Sequence, residues 1–217
     1  FFPDSMSAQT DFYTNKSQTL PSVPDIQGNN CLIAFSPYKG WWKATNLDSS
    51  MNVYDDKVSK FNGEVTLTKS GMTGKGEFLS NRIQVKSKEY KFGQSKLEAT
   101  VADFTLLGNT KQDDVSFVSR NMGMFLDFEK REGNFNSNTG TSEIEFPANK
   151  FTGTTDEFDW LMDDNLMVFK KVVDTANFQN YDTNKNLIPN FVSDLKEHKG
   201  LGFFSGKSTY YIDSSLL

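Results

Sequence analysis

One cysteine and one histidine in 217 residues leave little room for the commonest catalytic and metal chemistries. Cys31 alone cannot close an intrachain disulfide, and that is compatible with a reducing compartment as much as with an oxidising one. A zinc shell of nitrogen and sulfur ligands needs more than His198 and Cys31. Any Ser-His-Asp or Cys-His site would have to use His198, which sits among charges in LKEHKG. Cys31 lies inside the apolar run CLIAF, the setting of a small buried hydrophobe rather than of a nucleophile. No stretch approaches the roughly 18 apolar residues that span a bilayer as a helix. Positive charge is also in deficit: 23 Lys and Arg against 28 Asp and Glu give a net charge of −5, a field that repels a phosphate backbone. No nucleic-acid partner is therefore expected.

What the chain has instead is phenylalanine. Hydrophobic residues make up only 36% of the total, but 20 of them are Phe, and each buries a large apolar area. They recur at alternate positions. RIQVKS sets Ile83 and Val85 against Arg82, Gln84 and Lys86, and EYKFG does the same with Tyr90 and Phe92. LEATVADFTLL places Leu97, Ala99 and Val101 on one face and resumes at Phe104 and Leu106 after a phase shift. MGMFLDF alternates through Met122, Met124, Leu126 and Phe128, and SEIEF through Ile144 and Phe146. Period-two alternation broken by turn residues is the strand signal. EKREG reads as a charged turn with Gly133 taking the left-handed conformation, and SGMTGKGEF as a hairpin turn using Gly71, Gly74 and Gly76.

Helical signal is scarce. Asp156 to Leu161 accommodates one helical turn or a strand, and NFVSDLKEHKG spaces Phe191, Val192 and Leu195 for a short helix stopped at Gly200. The expected fold is all-β: an extended β-jellyroll or solenoid of short antiparallel strands, with a β-sandwich as the alternative and at most one or two short helices. Residues 1–30, rich in Ser, Thr, Asn, Gln and Pro, read as an extended lead-in, and residues 31–217 as a β-rich domain, a segment of a longer chain.

Three tryptophans are the candidate ligand contacts, since aromatic faces stack on sugar rings: Trp41, Trp42 and Trp160. Adjacent strand residues point to opposite sides, so Trp41 and Trp42 are expected to divide into one core and one exposed side chain. DTNKN places Asp182, Asn184 and Asn186 at positions one, three and five of a calcium-type loop. Leu187 stands where that loop needs glycine and Ser193 where it needs glutamate, so a plain turn is the competing assignment and no cofactor is expected. GMTGKG lacks the ending of a phosphate-binding loop and a following helix.

Several stretches together resemble a family of very large, uncharacterised envelope proteins of Bacteroidetes-type bacteria. The family's D-F-x-x-R-x-G-x-F-x-S-N is matched by Asp127, Phe128, Arg131, Gly133, Phe135, Ser137 and Asn138. Its F-x-W-x-M-D is matched by Phe158, Trp160, Met162 and Asp163, and its glycine-rich stretch by Gly71, Gly74 and Gly76. The similarity covers roughly residues 60–215. Met72 stands where the family has Leu, and Lys150-Phe151 replaces an Asn-Tyr ending, both changes of packing. The strand-after-strand layout is also similar to the repeated β-jellyroll of lipopolysaccharide-transport proteins of the OstA type. These resemblances imply a non-enzymatic structural or binding module of a bacterial cell envelope, in the periplasm, outer membrane or cell surface. Its partners would be other envelope proteins or further segments of the same chain, with a lipid or glycan as ligand. A carbohydrate-binding module or glycan-utilisation accessory protein is the alternative.

Overall fold

The computed structural model describes residues 6–14, 22–54, 58–107, 115–140, 142–147, 151–164, 166–170, 173–174 and 207–211. The protein is all-β, and no α-helix occurs among the described residues. The strands are β1 (Met6–Tyr13), β2 (Ile26–Ser36), β3 (Trp41–Asn46), β4 (Met51–Val53), β5 (Ser59–Thr68), β6 (Gly71–Ser80), β7 (Ile83–Phe92) and β8 (Lys96–Leu107). They continue as β9 (Val115–Asp127), β10 (Glu132–Ser137), β11 (Ser142–Phe146), β12 (Phe151–Thr155), β13 (Glu157–Leu161), β14 (Leu166–Lys170), β15 (Val173–Asp174) and β16 (Lys207–Tyr211). They form two compact units, one of Phe1–Ala102 with Phe125–Lys130, the other of Asp103–Met124 with Arg131–Leu217.

In the first unit the order is β1-β2-β3-β5-β6-β7-β8, with β4 paired to both β2 and β5. Sequence neighbours joined by short turns pair with each other, which is what alternating apolar runs separated by turn residues specify. One face is the core, carrying Ala44, Phe61, Val65, Phe78, Val85, Tyr90 and Phe92. Phe61 meets Tyr90 and Phe92 edge-on, with ring centroids 5.5 and 5.3 Å apart. The lead-in expected over residues 1–30 is in part a paired strand: β1 lies antiparallel on β2, and β2 itself begins at Ile26. Its polar side chains gave no alternation because nearly all of them face water at the end of the strand order.

In the second unit the order is β9-β10-β13-β14-β16, with β11 on β9 and β12, and β15 on β12. Phe104, Phe117, Phe135, Phe146, Phe158 and Phe169 are fully buried and in mutual ring contact. Phe135 and Phe158 are register partners on β10 and β13, and their rings stack at 4.6 Å and 10°. Glu157–Leu161 is therefore strand, not helical turn, because alternation through Phe158 and Trp160 matches the register of β10. The helix expected within residues 190–200 lies outside the described residues.

Three local expectations are corrected. The β5–β6 hairpin turns at Lys69 and Ser70 alone, and Gly74 and Gly76 lie within β6. Thr68 closes that turn, its hydroxyl accepting from the Ser70 N–H and donating to the Gly71 carbonyl, both at 3.2 Å. In EKREG the left-handed residue is Arg131, at φ 60°, while Gly133 is a β10 residue facing Trp160 across the pair. The buried Asp127 carboxylate accepts from the N–H groups of Glu129 and Lys130 at 3.1 and 3.0 Å, and so orders the turn locally. The phase shift in β8 comes one step early: Val101 is exposed and Ala102 buried. The Ser87 hydroxyl donates to the Val101 carbonyl there at 2.7 Å.

A candidate binding groove around Trp42

The turn Pro37–Gly40 is short, so the β2–β3 hairpin has one register: Ser36 faces Trp41 and Phe35 faces Trp42. Gly40, at φ 63°, donates its N–H to the Ser36 carbonyl at 2.9 Å and fixes the loop length. Residues directly opposite in an antiparallel pair share a face. Pairing of β1 with β2, β3 with β5 and β5 with β6 thus sets Met6, Phe35, Trp42, Leu67 and Met72 in one row. The row is core at Met72 and runs out to solvent at Trp42, which is 48% exposed.

Phe35 stacks on the Trp42 indole with centroids 4.0 Å apart at 23°. The pair stands in an open groove of about 500 Å³ whose apolar lining includes Val23, Phe35, Trp42 and Leu67. The polar residues Ser22, Thr68 and Lys69 also line it. Among the described residues no Asp or Glu lines it.

Trp41 points the other way, onto the polar face of the sheet. There it is half-buried, with the Lys43 Nζ 5.3 Å from its ring. Lys43 and Lys75 both pair with Glu64, at 3.0 and 3.4 Å, and Glu77 with Lys86 at 3.4 Å. Burial pushes the Glu64 carboxyl up, but hydrogen bonding and charge from Lys43 and Lys75 outweigh it and hold the group below the usual glutamate value. The division of the two tryptophans between opposite faces is as expected. Neither is fully buried, because this hairpin lies where the core row gives out into solvent.

Trp160 is 2% exposed, between Gly133 of β10 and Met167 of β14 in register, and offers no surface to a ligand. Its indole N–H has no acceptor among the described residues. Of the three, Trp42 lines the groove, Trp41 faces the other side of the same sheet, and Trp160 is buried within the second unit. Asp182, Asn184 and Asn186, like His198, lie outside the described residues. Among the described residues no three His, Cys, Asp or Glu side chains are grouped to hold a metal ion. Cys31 has no exposed surface, and burial, with Asp11 nearby, pushes its thiol up from the ordinary value, so the thiolate needed for attack is disfavoured.

Several residues carrying the family resemblance have structural work within the second unit. Arg131 pairs with Asp163 at 3.0 Å, Gly133 faces Trp160, and Phe135 stacks on Phe158. The two motifs are thus the two halves of one strand pair. Phe35, Leu67 and Lys69 were not singled out from sequence. The signal for Phe35 was available, since a turn of four residues after Ser36 sets it opposite Trp42. Lys69 comes from a different hairpin and had no local mark. Comparison of the chain with protein-family models, curated proteins and solved structures finds no match.

Proposed function

We propose that this chain is a non-enzymatic binding module of a bacterial cell envelope, with the Trp42 groove as its ligand contact. The observation that carries the reading is a large aromatic side chain left half in water, backed by Phe35 and set in a concave site with a few polar groups. The envelope setting rests on the resemblance to the Bacteroidetes-type family. Among ligands, a glycan suits this groove better than a lipid. A sugar ring presents an apolar face to an indole and hydroxyls to the polar side chains Ser22 and Lys69, whereas an acyl chain gains nothing from polar neighbours. The phenylalanines of the second unit also contact one another at packing distance, as a filled core does.

Native mass spectrometry of the protein purified from its own source, before and after organic extraction, tests this. Adducts spaced by sugar masses that survive extraction support a glycan module. An extractable lipid would replace the glycan by a lipid cargo. A bare mass in every preparation, with other envelope proteins co-purifying, would leave a structural partner rather than a ligand-binding module.

A further inference from the structure

Building on that reading, we infer that the groove selects an acidic sugar, its pyranose ring stacked on Trp42 and its carboxylate met by Lys69. Charge is the discriminating observation. The chain carries a net charge of −5, yet among the described residues the groove is lined by one lysine and no carboxylate. Lys69 occupies the first position of the two-residue β5–β6 turn, next to Thr68, so its backbone is fixed by the hairpin register while its ammonium reaches water. Thr68 precedes it with a hydroxyl already engaged in closing the turn. Leu67, one residue earlier, is the register partner of Trp42. The hairpin therefore delivers an apolar side chain beside the indole and a cation at the rim from three consecutive residues. A neutral glycan would use the indole and Ser22 alone. A uronic acid adds a carboxylate that no acidic side chain among the described lining residues repels.

The test is calorimetric titration of the whole chain with tetra-galacturonate and tetra-mannuronate, each as free acid and as fully methyl-esterified neutral form. The free acid of at least one series is expected to bind roughly threefold tighter than its ester, the gain of one solvent-exposed charge pair. That gap should close at about 1 M salt, where the screening length is about 3 Å. Lys69→Gln should remove the gap between acid and ester, and Trp42→Ala should abolish binding of both forms while the circular dichroism spectrum stays native. Equal affinity for acid and ester overturns the inference and leaves the glycan reading standing. Preference for the acid that persists in Lys69→Gln overturns the role of Lys69. Binding of neither form in either series overturns the acidic-sugar inference, and the adduct masses from native protein then decide the wider reading independently.

Discussion

Gly63 and Gly76 face each other across β5 and β6 with no room for a side chain on either. A Cβ on Gly63 would lie 2.1 Å from the Lys75 carbonyl oxygen, and one on Gly76 would lie 2.1 Å from that of Asn62. Both have positive φ, 149° and 143°, which side-chain-bearing residues rarely adopt. Beside them the β6–β7 register shifts between Gly74 and Gly76, so the close approach coincides with a bulge. Gly63→Ala or Gly76→Ala is expected to destabilise the first unit by about 3 kcal/mol, since backbone rather than a yielding side chain is in the way. Urea unfolding of the two variants checks this, and a loss under about 1 kcal/mol would mean the strands separate at little cost.

That glycine pair also marks the limit of sequence reading. Gly71, Gly74 and Gly76 look alike in sequence as turn formers, and only cross-strand register shows that all three lie within β6. Where alternation was regular, as in Ile83/Val85, Tyr90/Phe92 and Met122/Met124/Leu126, burial follows it residue by residue. Val101 broke the pattern because burial in β8 shifts phase at Thr100 and Val101, two exposed residues in succession, and such a shift has no period. The groove was half legible: Trp42 was named, but Lys69 reaches it through a pairing that composition and local pattern do not encode.

The second unit separates core from surface within one strand pair. Phe158→Ala removes a ring that stacks on Phe135 and touches Phe104, Phe117 and Phe169, and should cost about 3–5 kcal/mol. Asp163→Asn breaks an ion pair whose carboxylate is 67% exposed and should cost no more than about 0.5 kcal/mol. Thermal unfolding of both variants checks the ordering. Comparable losses would contradict the assignment of Arg131 and Asp163 to the surface.

Stability should depend on acid through Glu64. Its folded-state value is lowered, so the stabilisation is present above the ordinary value of 4.5 and is lost as pH falls through the folded one. Glu64→Gln is expected to be roughly 0.5 kcal/mol less stable than the parent at neutral pH, with the difference vanishing in acid. Chemical denaturation at pH 7 and on the acid side of the transition checks the convergence.

Cys31 should behave as a packed side chain. With its thiol buried and pushed toward the protonated form, modification by an aromatic disulfide reagent should be slow in the native protein and immediate in denaturant. Rapid native labelling would show that β2 opens at this point.

Trp42 carries the functional account, and it can be removed without touching the core: half its surface is already in water, and Trp42→Ala should cost about 1 kcal/mol through the lost stack on Phe35. The most direct measurement is affinity electrophoresis of parent and Trp42→Ala through native gels containing a panel of neutral and acidic polysaccharides. The account predicts that at least one polysaccharide retards the parent and that none retards the variant. Equal migration of both proteins in every gel, or equal retardation of both, would contradict a glycan site at Trp42.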